Sequence, residues 1–151
     1  AVTKLYKKIS TGNSVCINLR RTDYVSIPEN VEKFGVIGLD HYENSLKLLS
    51  EKQKNLELFI FSDDIEWCKS NLKFDYPIFF VTHDEYAGPK FSHYLYLMQA
   101  CKHFIIPNSS FGWWAAWLSE SNGKMIFAPQ KWLAAKDMNY KDVVPESWIK
   151  V

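Results

Sequence analysis

Nowhere does this chain hold the eighteen or so consecutive apolar residues that a membrane-crossing helix requires, and Lys4, Lys7 and Lys8 near its start are followed by no apolar signal-peptide core. An excess of either charge is lacking too. Eighteen Lys and Arg against 17 Asp and Glu leave a formal net charge of +1, so the chain has none of the basic field that nonspecific nucleic-acid or membrane binding draws on. An anion must therefore be caught locally. Cysteine is scarce: Cys16, Cys68 and Cys101 are an odd number at wide spacing, each in an apolar or helical pattern. They read as reduced, buried thiols of a cytoplasmic protein, not as disulfides or metal ligands. The histidines, His41, His83, His93 and His103, show no metal-ligand spacing. With no P-loop and no Gly-x-Gly-x-x-Gly, ATPases and dinucleotide dehydrogenases are disfavoured.

What is present is apolar and unusually aromatic. The apolar fraction is 47% and the charged fraction 23%, ordinary for a globular protein, but 16% aromatic with six tryptophans is high. At 151 residues the chain is expected to form one domain, 1–151, around one core. It begins at Ala1 rather than Met and its first strand follows after a short lead, which reads as a fragment of something longer.

Continuous apolar runs alternate with helical patterns. Ser14-Val15-Cys16-Ile17 is a first strand, Leu56–Phe61 a second, Ile78–Val81 a third, His103–Ile106 a fourth and Lys124–Ala128 a fifth. Asp40 and Glu43 have capping-box spacing before a helix carrying Tyr42, Leu46 and Leu49. A segment through Trp67 to Leu72 reads as helical, Thr82–Pro89 as a polar loop, and 90–101 as an amphipathic helix with Phe91, Tyr94, Leu95, Met98 and Cys101 on one face. Phe111–Leu118 is a further helix, whose Trp113, Trp114 and Trp117 are expected in the core. The last stretch, with Pro129, Trp132, Pro145 and Trp148, is expected to wrap the sheet. The fold class is therefore α/β: a Rossmann-like parallel sheet with helices on both faces and strand one central.

Three polar clusters fall at the carboxyl ends of these strands, where open α/β sheets bind ligands. The first, Asn18-Leu19-Arg20-Arg21-Thr22-Asp23, places adjacent guanidinium groups at a strand end, where each needs an anionic partner. Asp23 can hold one of them bidentately while the other meets an external phosphate; an internal ion pair that pins the loop is the alternative. The second, Ser62-Asp63-Asp64, offers carboxylates to the N–H or O–H groups of a ligand, or a helix cap from Ser62 and Asp63. The third, Asn108-Ser109-Ser110-Phe111-Gly112, opens a helix whose free N–H groups suit an anion, or serves as its N-cap.

These blocks resemble a known family. Arg20-Arg21-Thr22-Asp23-Tyr24 is similar to the Arg-Arg-x-Asp signature of the α1,2-, α1,6- and protein-O-fucosyltransferases. The run from Lys102 to Leu118 closely resembles the α1,2-fucosyltransferases of glycosyltransferase family 11. Ser62-Asp63-Asp64 with Trp67, Tyr94–Met98 and Phe127–Trp132 match in order and approximate spacing. The resemblance implies the C-terminal half of a GT-B-like enzyme, binding GDP-fucose and transferring L-fucose with inversion, without a metal or other cofactor, to a galactose 2-hydroxyl of a glycan acceptor. It implies Arg20 as the catalytic residue on the β-phosphate. It also implies a donor site drawn from Asn18, Arg20, Arg21, Asp23, Ser62, Asp63, Asp64, Asn108, Ser109, Ser110 and Phe111. No nucleic-acid partner is expected; a cytoplasmic, bacterial-type protein is, with peripheral membrane association when full-length. The family usually carries His where this chain has Asn18, and an amide takes no proton near neutral pH. Two alternatives stand beside this reading: a non-catalytic nucleotide-binding or interaction module with the same fold, and a transferase using another GDP-sugar.

Overall fold

Strand β1 (Ser14–Leu19) is buried along its whole length and pairs in parallel with β2 (Glu57–Ser62) on one side and β4 (His103–Ile105) on the other. The structure, a computed structural model, describes residues 1–135 and 139–151. Outward from β2 lies β3 (Ile78–Phe80), and outward from β4 lie β5 (Ile126–Ala128) and β6 (Ile149–Lys150). The order is β3-β2-β1-β4-β5-β6 with every pair parallel. This is the doubly wound, Rossmann-like arrangement, and its order reverses at β1.

Alternation along β1 decides which helices it meets. Val15, Ile17 and Leu19 face one layer with Leu58, Ile60, Ile105 and Phe127; Cys16 faces the other with Phe59, Phe61, Phe104 and Ile106. On the first face packs α4 (Leu39–Lys52), which buries His41, Tyr42, Ser45, Leu46 and Leu49 at the 3.6-residue period, together with α5 (Ile65–Asn71). On the second pack α1 (Val2–Thr11), α7 (Ser92–Gln99) and α8 (Ser110–Leu118). Each fully buried Ile or Phe contributes roughly 1.5–3 kcal/mol. Both faces are covered, which is why β1 and β2 are unbroken apolar runs. The cysteines are free and buried, and burial pushes the Cys68 thiol up to about 11.

Several expectations are corrected. Helix α4 begins at Leu39 with Gly38 at its N-cap, and Asp40 makes no capping hydrogen bond, because it already lies inside the first turn. The Arg loop is helical, as α2 (Thr22–Ser26) and α3 (Pro28–Phe34); neither buries a residue, so neither leaves an apolar stripe. Thr82–Pro89 contains a short helix, α6 (His83–Tyr86). Helix α7 starts at Ser92, because Lys90 and Phe91 take left-handed backbone and turn Phe91 out of the apolar stripe. Trp114 and Trp117 are 50% and 53% exposed, whereas Trp113 packs against the core and donates from Nε1 to Val143 O at 2.7 Å. The C-terminal stretch adds β6 to the sheet instead of only wrapping it; its residues 136–138 lie outside the described residues.

Candidate active site: the cleft at the carboxyl ends of β1, β2 and β4

A cleft of about 190 Å³ opens at the carboxyl ends of the strands, walled by Asn18, Arg20, Ser62, Asp63, Ser109 and Phe111 among others. Three separate sequence clusters therefore share one space. A larger recess of about 440 Å³, with Tyr6, Gln99, Lys102 and Glu120 in its wall, lies at the opposite end of the sheet. Size alone would favour that recess. The strand-end rule favours the cleft, where the chain reversal between β1 and its neighbours leaves room for a ligand.

Arg20 leaves β1 and meets Asp23 bidentately, Nε to Oδ1 and Nη2 to Oδ2, both at 3.0 Å. Its Nε is also 3.3 Å from Asp63 Oδ2. The hydrogen bond to Asp23 raises the Arg20 pKa further, and the same bond lowers that of Asp23. A guanidinium has five N–H donors, and Nη1 of Arg20 bonds no described residue, so one edge of the group remains for a ligand. The internal ion pair that pins the loop is present, and it is the paired arginine, not its neighbour, that lines the cleft.

Arg21 points elsewhere. Its guanidinium lies 3.6 Å above the Trp67 ring, and its buried Nε has no hydrogen-bond partner among the described residues. The flat, weakly hydrated cation suits such stacking. Asp63 clamps the loop's backbone, accepting from Arg21 N–H at 2.8 Å, Thr22 N–H at 3.1 Å and the Thr22 hydroxyl at 2.7 Å. Asp64 caps α5 by accepting from Trp67 N–H at 3.1 Å, and Ser62 Oγ accepts from Asp64 N–H at 3.0 Å. The capping role expected of Ser62 and Asp63 thus falls to Asp64, while Asp63 is committed to the arginine loop.

The helix mouth is built around Asn18. Its side chain is on the α8 face of β1, donates from Nδ2 to Phe61 O at 3.1 Å, and leaves a buried Oδ1 with no partner among the described residues. A Cβ on Gly112 would collide with that oxygen, so glycine lets α8 close onto β1. Ser109 precedes α8 in extended backbone, is buried, and makes no side-chain cap; Ser110 is exposed and lies outside the cleft wall. Asn108 is a structural tie, donating from Nδ2 to Phe34 O at 2.6 Å and Trp132 O at 3.0 Å. Of the eleven predicted residues the cleft collects Asn18, Arg20, Ser62, Asp63, Ser109 and Phe111. Arg21, Asp23, Asp64 and Asn108 support it from outside the wall, and the exposed Ser110 is not part of it.

The wall beyond β3 was not foreseen. His83, Lys90, Phe91 and Tyr94 complete the cleft. His83 Nε2 is 2.6 Å from Ser62 O, and since a carbonyl only accepts, Nε2 carries the hydrogen. Tyr94, 3% exposed, accepts from Ser62 N–H at 2.9 Å and donates to Val81 O at 2.9 Å; burial raises its pKa. Lys90 and Phe91 have φ of 49° and 60°. Left-handed backbone costs a non-glycine residue about 1–3 kcal/mol and survives where its surroundings fix it. No signal in residue type announces such a turn.

Comparison with known proteins bears on what this cleft serves. The pattern described as Glycosyl transferase family 11 matches residues 3–151. The chain belongs to glycosyltransferase family 11. It is 38% identical over 145 residues to an alpha-1,2-colitosyltransferase of Escherichia coli, covering 95% of this chain and 49% of that protein. It is 30% identical over 152 residues to the O-antigen biosynthesis glycosyltransferase WbnK of Escherichia coli, covering 97% and 48%. Similarity extends to the galactoside 2-alpha-L-fucosyltransferase SEC1 of Bos taurus, 25% identical over 77% of this chain and 35% of that protein. The chain spans about half the length of the two Escherichia coli relatives. No solved structure matches it. Among the described residues of this family member, no helix is long and apolar enough to cross a membrane, and no three His, Cys, Asp or Glu side chains gather to hold a metal ion.

Proposed function

We propose that the chain is the donor-binding part of an inverting glycosyltransferase that takes a GDP-activated deoxy-L-sugar, L-fucose in the first instance, and passes it to a galactose 2-hydroxyl of a glycan. The observation that carries this reading is that Arg20, at the end of β1, and Ser109, at the mouth of α8, open onto one cleft. As the acceptor oxygen bonds to the anomeric carbon, the bond from that carbon to the β-phosphate oxygen breaks and its electron pair leaves with GDP. Charge grows on the phosphate, and the free edge of Arg20 with the N–H groups of the helix mouth would offset it there. Hydrogen-bond donors of the helix mouth and cationic side chains of the cleft wall can offset that charge, so we propose that no metal is needed. The acceptor proton goes to a base other than Asn18, whose amide accepts hydrogen bonds but no proton near neutral pH.

At about 190 Å³ the cleft is smaller than the roughly 300–1,000 Å³ of small-molecule sites, so it suits the diphosphate, with base and sugar lying across the open rim. The 38% identity to a colitosyltransferase favours a second donor, GDP-colitose. Calorimetry with GDP and GDP-fucose tests the first reading: binding is expected, and Arg20→Ala should weaken it by about tenfold or more, the worth of one charge-assisted bidentate contact. Absence of GDP binding to the purified chain, or no loss in Arg20→Ala, overturns it. Competition between the two GDP-sugars decides the donor.

A further inference from the structure

Charge bookkeeping in the cleft leaves one cation without a counterpart. Arg20 is matched by Asp63 within the wall and by Asp23 beside it, so the arginine loop presents little net charge to a ligand that carries two or more negative charges. Lys90 is the other cationic side chain of the wall; it is exposed and forms no ion pair or hydrogen bond with any described residue. Its place is held, not incidental. Gly88 (φ 68°) starts the turn, and any Cβ there would run into His93. Lys90 itself is left-handed, and Phe91 is tied by its N–H to Gly88 O at 3.3 Å. The Phe91 ring packs edge-on against His83 at 5.2 Å and Tyr94 at 6.0 Å, and Tyr94 N–H reaches back to Ala87 O at 3.1 Å. A strained turn fixed on three sides sets a lysine on the wall formed beyond β3, away from the β1 loop that carries Arg20.

We propose that Lys90 is a phosphate-binding residue of the donor site, contributing the uncompensated positive charge that Arg20, already paired with carboxylates, does not supply. The inference rests on the donor reading above and adds to it a residue from the β3 side of the sheet. Left-handed backbone at Lys90 is then the cost of holding an ammonium group over the diphosphate, and glycine, which adopts that conformation freely, would be the more stable choice at this position.

The test is GDP binding by calorimetry on the full chain, with guanosine as a probe lacking phosphate. Lys90→Gln is expected to weaken GDP binding by about tenfold, to leave guanosine binding unchanged, and to flatten the salt dependence, because a screened charge pair has been removed. Lys90→Arg should recover affinity to within about threefold, since the charge is kept. Lys90→Gly should raise the melting temperature while losing GDP affinity, a combination that a purely structural lysine would not produce. If the wild-type chain binds GDP and Arg20→Ala abolishes that binding while Lys90→Gln leaves it untouched, the role of Lys90 is overturned and the donor reading stands. If the wild-type chain binds no GDP, both fall together.

Discussion

Asn18 and Gly112 meet face to face at the seam between β1 and α8, with the buried amide oxygen of one filling the space that a side chain on the other would need. Period-two alternation places Asn18 on the α8 side of the sheet, and a missing Cβ lets the helix mouth approach the strand end. Gly112→Ala should therefore cost about 1–3 kcal/mol, the usual range for overpacking a tight contact, and should weaken GDP binding by moving α8. Chemical denaturation measures the first effect and calorimetry the second. Combining it with Asn18→Ala should recover part of the stability loss, giving a coupling energy of about 0.5 kcal/mol or more; strictly additive losses would show that the two side chains do not compete for one space.

Asp63 is the hinge pin of the arginine loop. It accepts two backbone N–H groups and one hydroxyl from residues 21 and 22 while facing Arg20. Asp63→Ala strands those donors, and unsatisfied, partly buried groups cost about 1–3 kcal/mol. The expected outcome is a destabilised chain in which Arg20 is also misplaced, so GDP affinity falls with stability. Asp63→Asn, which keeps one acceptor, should lose less of both. Equal urea midpoints for Asp63→Ala and wild type would show that the clamp contributes nothing.

The sequence makes the sheet and the meeting of its strand ends readable because strands buried on both faces are unbroken apolar runs and polar residues stand out where each run stops. Val15 to Ile17 and Leu58 to Phe61 announce themselves in this way. Helix α1 carries a signal too, with Val2, Leu5, Tyr6 and Ile9 at i, i+3, i+4 and i+7 all packed on the core, although it is not among the helices named from the sequence. Strand β6 is two residues long and is recognisable only from its pairing with β5. Within the site, two adjacent aspartates carry no mark of which caps the helix and which clamps the loop; only the backbone direction at Asp64 decides. The β3 side of the cleft was invisible because it depends on left-handed backbone at Lys90 and Phe91, residue types that do not signal it.

The outer face of α8 should tolerate change where the inner face does not. Trp114 and Trp117 are half exposed, and replacing Trp114 by Gln should alter stability by less than about 0.5 kcal/mol, as for other surface substitutions. Trp113 is different: it stacks on Trp117 at 5.3 Å, packs against Trp148 at 5.5 Å and donates to Val143 O. Trp113→Ala should cost about 3–5 kcal/mol. Thermal and urea unfolding compare the two variants, and a similar cost for both would mean that the exposed tryptophan is covered in solution.

Two buried histidines give the fold its response to mild acid. His41 Nε2 lies 2.9 Å from Ile106 O, which only accepts, so the hydrogen is on Nε2, and the buried Nδ1 has no hydrogen-bond partner among the described residues. His103 Nδ1 accepts from Met125 N–H at 3.1 Å and must be unprotonated to do so. Burial lowers both pKa values, and Lys102 lowers that of His103 further. With the folded values depressed, the unfolded chain takes up protons first. The contribution of these residues is complete above the unfolded pKa of about 6.5 and is lost as pH falls from there through the folded values. The depressed pKa of Asp23 acts only near and below about pH 4, outside this window. Urea unfolding at about pH 7.5 and about pH 5.5 should therefore show a lower midpoint at the acid value for the wild type. The drop should be smaller in His41→Asn and in His103→Gln, and smallest when both are replaced. A wild-type drop that survives in the double variant would place the proton-sensitive groups elsewhere in the chain.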